Sequence, residues 1–277
     1  HSEVVCEDCT ILICFIISMI FGVSLMPVTL SLALFIGIFF TVSNLGCIDE
    51  SLSAFKFRVP SNNFRSYNLK LTLKVRDELE KMGVRVVNQE KEVFEEDYYL
   101  AVKNPGINGK LWFVKRLRER GISVITEIEL AFRVSAPQHY VAVTGSNGKT
   151  TTSTLIYEII KEQYPEKTLL CGNIGIALCE MVLEYDLINN DGYYIVLEIS
   201  NFQLVDIEGF RPETAVIINL AADHLDFMGT EDAYYRSKLR VYENMKDGDL
   251  FLYNKDDALI KEYTGMVPVD CRMLSYG

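Results

Sequence analysis

The sequence predicts an α/β protein in which a three-layer domain with a mostly parallel sheet follows a partial Rossmann-like domain. Three observations support this fold class. From about residue 69 onward, short apolar segments with strand character alternate with segments whose apolar residues recur at helical spacing. A glycine-rich loop, Thr144-Gly-Ser-Asn-Gly-Lys-Thr150, separates one such strand from one such helix. By contrast, the stretch from Cys9 to Ile48 contains no charged residue. We therefore divide the chain into residues 1–66, 67–136 and 137–277.

The N-terminal segment, residues 1–66, is dominated by an apolar run over residues 11–42. A membrane span needs about 20 apolar residues, so this run predicts one long tilted helix or two short passes broken near Gly22 and Pro27. The alternative is a buried hydrophobic hairpin or non-native sequence. Lys56, Arg58 and Arg65 follow the run and favour a cytoplasmic position for what comes after it. We expect a cytoplasmic protein or, alternatively, one anchored in the inner membrane through residues 11–42.

Residues 67–136 show the alternation expected of a partial Rossmann-like domain. A helix is predicted over residues 71–82 because its apolar residues recur at helical spacing and Gly83 follows as a stop signal. The elements predicted after it are a strand at 84–87, a strand at 98–102, a basic amphipathic helix at 110–120, a strand at 123–125 and a helix at 127–134. Strands separated by helices in this way indicate a parallel sheet.

The domain at 137–277 begins with a strand at 140–143, the glycine-rich loop and a helix at 150–161. Gly145 and Gly148 allow a tight turn, so that successive N–H groups and the positive end of the helix can face a phosphate. Lys149 supplies a positive charge for the phosphates, and the Thr150 hydroxyl can bind Mg²⁺. Val143 stands where the usual pattern has another glycine, so the match is to a shortened G-x-x-G-K-T form. The loop predicts ATP and magnesium binding, against the alternative of a turn with an exposed lysine.

Two later strands are predicted at residues 193–199 and 214–220, and both carry or precede charged residues. Glu198 lies at the end of an otherwise apolar strand, where an unpaired carboxylate would be costly to bury. His224 follows the second strand, between Asp223 and Asp226. Because ligands of open α/β sheets bind beyond the carboxyl ends of the strands, Glu198 and His224 are candidate metal ligands. The alternatives are an ion pair for Glu198 and an ordinary turn residue for His224.

The overall charge restricts the partners of this chain. A formal net charge of -11 and a sequence pI near 4.9 argue against nucleic acid, whose binding depends on a basic face. Any nucleotide is therefore expected to be a small ligand in a local site. The seven cysteines lack the paired spacing of a zinc ribbon or finger, and they indicate a reduced, intracellular protein.

Five separate motifs resemble those of the Mur ligase family. They are the loop at 144–151, Gly172-Asn-Ile-Gly175, Leu197-Glu-Ile-Ser-Asn-Phe-Gln-Leu204, Asn219-Leu-Ala-Ala-Asp-His-Leu-Asp226 and Lys238-Leu-Arg-Val-Tyr-Glu-Asn244. The third motif is most similar to the branch of the family that adds D-glutamate. The resemblance extends over about residues 69–277.

The resemblance implies an ATP-dependent ligase of peptidoglycan precursor synthesis that forms an acyl phosphate and then an amide bond. Its substrates would be ATP, a UDP-muramoyl precursor and D-glutamate, and two Mg²⁺ ions would assist. The implied catalytic residues are Lys149, His224 and Lys238. The implied metal ligands are Thr150, Glu198, His224 and Lys238, the last as a carbamate formed with CO₂.

The same resemblance assigns ATP and substrate contacts. ATP would be bound by Gly145, Ser146, Asn147, Gly148, Lys149, Thr150 and Thr151, with Asn254 near the adenine. Asn173 and Ser200 would contact the muramoyl substrate. Asn201 stands where the family more often has serine, and no role is implied for it.

Two departures from the family pattern shape the functional expectation. The family begins with a glycine-rich turn that binds the uridine diphosphate group, and the hydrophobic run takes that place here. The family also continues beyond the position of Gly277. We therefore expect an incomplete active site and little or no ligase turnover from residues 1–277 alone. The alternatives are a non-catalytic, membrane-tethered nucleotide-binding remnant and a generic P-loop NTPase.

Overall fold

The computed structural model of the chain describes residues 10–14, 64–67, 84–87, 98–222, 228–267 and 270–277. It divides the chain into two compact units, His1–Glu127 and Ile128–Gly277. Each unit contains its own parallel sheet. The sequence-based boundaries after residues 66 and 136 stay predictions.

The first unit contains a five-stranded sheet in the order β3-β2-β1-β4-β5. Every strand pair in it is parallel. The strands are Thr10–Cys14 (β1), Phe64–Tyr67 (β2), Val84–Val87 (β3), Tyr98–Lys103 (β4) and Ser123–Ile125 (β5). A helix, Trp112–Glu119 (α1), connects β4 to β5 and buries Phe113, Val114 and Leu117 in a cluster with β4 residues. The predictions for β3, β4, α1 and β5 are confirmed, whereas the helix predicted at residues 71–82 lies outside the described residues.

The start of the hydrophobic run is a strand, which differs from the helix that we expected there. Strand β1 lies between β2 and β4, and its neighbours bond to both of its edges. A strand flanked on both sides in a parallel sheet is itself rich in β-branched residues and free of charge, so composition alone does not separate it from a membrane segment. Within the described residues, none of the helices has both the length and the apolar character needed to cross a bilayer. Residues 15–42 lie outside the part that the structure describes.

The second unit contains a six-stranded sheet in the order β11-β10-β9-β6-β8-β7, again with parallel pairs throughout. Its strands are His139–Thr144 (β6), Thr168–Gly172 (β7), Tyr194–Glu198 (β8), Thr214–Ile217 (β9), Leu250–Asn254 (β10) and Arg272–Tyr276 (β11). Helix Glu127–Val134 (α2) begins at the last residue of the first unit. The α-helices that follow it in the described residues are Lys149–Gln163 (α3), Leu178–Glu184 (α4), Asn201–Leu204 (α5), Glu231–Leu239 (α6) and Ala258–Met266 (α7). The predicted α/β class and parallel sheet are confirmed.

The order of the strands explains the three layers. From β6 the chain crosses through α3 to β7 at one edge, and every later crossover runs in the opposite direction along the sheet. Because crossovers between parallel strands are right-handed, a reversal of direction places α3 on one face and the later crossovers on the other. Strand β9 ends at Ile217, earlier than predicted, because the chain beyond it turns to bond with the glycine-rich loop.

A buried carboxylate joins helix α2 to the turn before β9. The Glu129 side chain is fully buried. It accepts hydrogen bonds from the backbone N–H groups of Glu208, Gly209 and Phe210 at 3.0, 2.9 and 2.8 Å. Arg133 Nε donates to the same carboxylate at 2.7 Å. One side chain therefore satisfies three consecutive N–H groups that have no strand partner at this turn.

We expect Glu129→Gln to lower the free energy of unfolding by about 3 kcal/mol, because one amide nitrogen would face buried N–H donors in place of an acceptor oxygen. Denaturant unfolding at neutral pH measures this loss. Glu208→Gln is the matched control, since its exposed pair with Arg133 should contribute less than about 1 kcal/mol. Equal effects of the two substitutions would contradict the assignment.

Candidate nucleotide and metal site

The carboxyl ends of three adjacent strands bring the predicted site residues together. Strand β6 pairs with β8 on one side and with β9 on the other. Val143 is paired with Glu198, and Thr144 is paired with Ile217. The glycine-rich loop, Glu198 and the segment after β9 therefore leave the same edge of the sheet. This is the edge at which open α/β sheets bind their ligands.

The loop conformation depends on its two glycines. Gly145 has a φ of +152° and packs against the chain after β9, where an added Cβ would lie 3.2 Å from Ile218 Cβ. Gly148 has a φ of +81° and caps the N-terminus of α3. Both conformations are rare for residues with a Cβ. The loop therefore leads directly into a 15-residue helix. The N–H groups of the first turn and the helix dipole favour binding of an anion at its N-terminus.

Lys149 lies folded over the loop from which it comes. Its Nζ donates to the Gly145 carbonyl at 2.9 Å and to the Ser146 carbonyl at 3.0 Å. Both acceptors are neutral, and a phosphate oxygen is a stronger partner for an ammonium group. The side chain is half-buried, so it is not enclosed by the protein.

Glu198 is the buried acid of the site, with 2% of its surface exposed. Its Oε2 accepts a hydrogen bond from Thr150 Oγ1 at 2.8 Å. Its Oε1 accepts one from Asn173 Nδ2 at 2.9 Å. Both of these side chains are neutral, so the hydrogen bonds orient the carboxylate without neutralising its charge. The pair Glu198 and Thr150 has the oxygen donors that Mg²⁺ prefers.

Gly172 allows the close approach that forms this group. It has a φ of +105°, and a Cβ added there would lie 2.3 Å from the Glu198 carbonyl oxygen. The following Asn173 N–H donates to that same oxygen at 2.8 Å. Sequence reasoning placed Gly172 in a motif but did not predict this contact, because it depends on the packing of β7 beside β8.

Lys238 reaches the loop from helix α6. Only 1% of its surface is exposed. Its Nζ donates to the Gly145 carbonyl at 3.0 Å, across 93 residues of sequence, and lies 4.6 Å from the centre of the Tyr234 ring. Tyr234 in turn places its hydroxyl 3.4 Å from Ser146 Oγ. The structure thus brings Lys238 to the same loop carbonyl that Lys149 contacts.

Other predicted site residues make no described hydrogen bond to Glu198 or to Lys149. His224, with Asp223 and Asp226, lies outside the described residues, and elsewhere in the described chain no cluster of three or more His, Cys, Asp or Glu could hold a metal. Ser200 is the N-cap of α5 and forms a capping box with Gln203. Thr151 is exposed in the first turn of α3. Their assigned roles stay predictions.

Asn254 ends strand β10 at the same sheet edge. Its Oδ1 accepts a hydrogen bond from the Asp256 N–H at 2.9 Å. Beside it, Tyr276 donates from its hydroxyl to the Ile218 carbonyl at 3.5 Å. Burial, and then the nearby Asp257 carboxylate, raise the pKa of Tyr276, so the phenol stays protonated and able to donate at neutral pH.

Comparison with known proteins finds a family model and relatives that match this part of the chain. Residues 143–277 match the Mur ligase middle domain. The chain is 42% identical over 188 residues to the UDP-N-acetylmuramoylalanine–D-glutamate ligase of Geobacillus sp., covering 67% of this chain and 40% of that protein. It is 41% identical over 192 residues to the protein of the same name from Geobacillus kaustophilus, covering 69% and 41%. The chain thus spans about 40% of the length of these relatives.

One solved structure is similar over a comparable stretch. It is the UDP-N-acetylmuramate:L-alanyl-gamma-D-glutamyl-meso-diaminopimelate ligase from Neisseria meningitides. The sequence identity is 17% and the TM-score is 0.47, with 76% of this chain and 69% of that chain covered.

We expect Gly172→Ala to lower the free energy of unfolding by more than about 3 kcal/mol, since a Cβ would clash with backbone at Glu198 and the positive φ adds strain. Chemical denaturation measures the loss. Gly192→Ala is the matched control because Gly192 also has a positive φ, +71°, but open space around it, so it should cost only about 1–2 kcal/mol. Similar losses in both variants would show that the contact with Glu198 does not matter.

Proposed function

We propose that this chain, which carries a Mur ligase middle domain at residues 143–277, supplies the ATP- and magnesium-binding part of a ligase that joins D-glutamate to UDP-N-acetylmuramoyl-L-alanine. The family match and the relatives at 41–42% identity confirm the resemblance drawn from the motifs. The observation that carries the proposal is the hydrogen-bonded group Thr150, Glu198 and Asn173 beside the loop of Lys149. We expect this reaction to take place in the cytoplasm.

The loop and Lys149 would bind the triphosphate of ATP. The N-terminus of α3 and the Lys149 ammonium supply positive charge to a phosphate bound over the loop. Gly145, Ser146, Asn147, Gly148 and Thr151 would surround the phosphates, and Asn254 would lie near the adenine. Catalysis of phosphoryl transfer depends mainly on such positioning and on stabilising the charge.

Thr150 and Glu198 would hold one Mg²⁺, and His224 with Lys238 would hold a second. A magnesium ion held there would supply positive charge that offsets the charge of the phosphates. The geometry supports the first site most directly, because the Thr150 hydroxyl and the Glu198 carboxylate are already 2.8 Å apart. The buried charge of Glu198 also favours a cation there, since a carboxylate in this position is otherwise held by neutral groups.

The proposed reaction has two steps. A carboxylate oxygen of the muramoyl substrate attacks the γ-phosphorus of ATP, so that an acyl phosphate forms and ADP leaves. The amine of D-glutamate then attacks the acyl carbon, an amide bond forms, and inorganic phosphate and a proton are released. Asn173 and Ser200 would orient the muramoyl substrate, while Lys149 would stabilise the charge on the transferred phosphoryl group.

Lys238 would act as a carbamate. Reaction of its neutral amine with CO₂ forms an N–C bond, releases one proton and converts a cation into an anion that can bind a metal. Its placement supports this role, because Nζ is buried and directed to the loop rather than to solvent. An unmodified lysine in that position would instead repel a second Mg²⁺.

We expect Lys149→Ala to weaken ATP binding by about 10- to 100-fold, as the loss of a charge-assisted contact with phosphate predicts. Isothermal titration calorimetry with the chain and ATP in excess Mg²⁺ measures the affinity. Lys161→Ala is the matched control, because Lys161 lies on the same helix but is exposed near its C-terminus. Equal affinities of the Lys149 and Lys161 variants would refute the assigned nucleotide site.

We expect the chain to show a carbamate resonance in the NMR spectrum when ¹³C-bicarbonate is added. Lys238→Ala should remove this resonance, and Lys246→Ala, the control at an exposed lysine, should retain it.

A second measurement uses a chimaera in which residues 143–277 replace the matching segment of the Geobacillus kaustophilus relative. D-glutamate-dependent ADP release by the chimaera should require Lys238 and both substrates. ATP hydrolysis that ignores the muramoyl substrate and persists in Lys238→Ala would instead indicate a generic NTPase.

A further inference from the structure

The side chain of Asn219, just after β9, makes a two-point contact with the exposed part of the glycine-rich loop. Its Oδ1 accepts a hydrogen bond from the Asn147 N–H at 2.8 Å, and its Nδ2 donates to the Asn147 carbonyl at 3.0 Å. In addition, the Ser146 N–H donates to the Asn219 carbonyl at 3.0 Å. A single residue therefore makes three hydrogen bonds with two consecutive loop residues.

Only a carboxamide fits both ends of this contact. It carries a donor and an acceptor side by side, which match the carbonyl and N–H of one backbone residue. A carboxylate has two acceptors and no donor, and an alanine has neither. Asn147 is itself exposed, and Gly148, which has a positive φ, follows it directly, so the neighbouring residues restrict its backbone conformation little. The Asn219 side chain therefore sets the orientation of the backbone at Asn147.

The segment that begins at Asn219 is bonded to the loop and to a second element. The Ala221 N–H donates to Ser146 Oγ at 2.9 Å, and Ser146 Oγ donates to the Ala221 carbonyl at 2.8 Å. Between them, the Leu220 N–H donates to Asp257, the N-cap of α7, at 2.8 Å. Residues 219–221 are thus hydrogen-bonded both to the loop and to Asp257, which lies three residues after Asn254. They also directly precede the segment of His224.

We propose that Asn219 is a positioning residue for the triphosphate. Its side chain holds the loop in the shape that receives the phosphates, and its backbone carbonyl bonds to the Ser146 N–H of the same loop. The role rests on the proposed nucleotide function. It follows from the two-point contact, because a loop already ordered before binding does not lose that freedom when the nucleotide binds.

The test compares two asparagine variants of the chain. Asn219→Ala removes both side-chain hydrogen bonds to the loop. Asn244→Ala is the matched control, because Asn244 Nδ2 also bonds to backbone, at the Glu208 and Phe210 carbonyls (3.0 and 3.1 Å), within the same unit but away from the loop. Affinities for ATP and for AMP are measured by competition with a fluorescent ATP analogue, and the melting temperature of each variant is recorded.

We expect Asn219→Ala to weaken ATP binding about tenfold, as the loss of two hydrogen bonds in an ordered loop predicts, and to change AMP binding less than about twofold. AMP is the informative comparison because it lacks the β and γ phosphates. Asn244→Ala should leave both affinities unchanged even where it lowers the melting temperature equally. Asn219→Asp, which keeps the acceptor and loses the donor, should also weaken ATP binding.

A second readout needs no nucleotide. Hydrogen exchange at the Asn147 amide should become about tenfold faster in Asn219→Ala and stay unchanged in Asn244→Ala. Wild-type affinity for ATP in Asn219→Ala, parallel losses for ATP and AMP, or unchanged exchange would each overturn the role of Asn219 alone. Absence of ATP binding by the unsubstituted chain would overturn the proposed function, and this role with it.

Discussion

The parallel pairing of β6 with β8 on one side and with β9 on the other is the constraint on which the site depends. Parallel strands end at the same edge of a sheet, so the residues at and after these strand ends lie near one another, and the loop bonds to Glu198 on one side and to Asn219 on the other. The loop follows β6, Ser200 follows Glu198 at the end of β8, and Asn219 follows β9 closely. A shift of either neighbour by one residue would separate Glu198 from Thr150 and Asn219 from Asn147.

Two buried ionisable side chains, one acidic and one basic, contact the loop or the residue that ends it. Glu198 contacts Thr150 and Asn173, while Lys238 contacts the Gly145 carbonyl. Burial of a carboxylate such as Glu198 beside neutral hydrogen-bond donors is costly for folding alone. Departures of this kind from the rules of stable packing are expected at functional sites. The energetic cost at this edge is therefore consistent with a site that is completed by ligands carrying both phosphate and metal charge.

The sequence predicted local elements well where the apolar residues recur with one clear period, that of a helix or that of a strand. Helix α2 and strand β5 begin and end at the predicted residues, and β6, α3 and β8 differ by only a few. The prediction for residues 214–220 was too long because apolar residues 218 and 220 continue the strand pattern, although the backbone there bonds to the loop and to α7. The strand at Thr10–Cys14 was missed because charge-free sequence is common to membrane helices and to flanked parallel strands.

The chemistry of the loop from Gly145 to Thr150 was determined by the sequence alone. The two glycines, the lysine and the threonine hydroxyl lie within six consecutive residues, so their proximity does not depend on the rest of the fold. Which distant residues complete the site was decided by the tertiary structure. The contact of Lys238 with Gly145, the approach of Gly172 to Glu198 and the contact of Asn219 with Asn147 each join segments far apart in the chain. Spacing along a sequence encodes the period of each element but not the order of strands in a sheet. That order places these three pairs in contact.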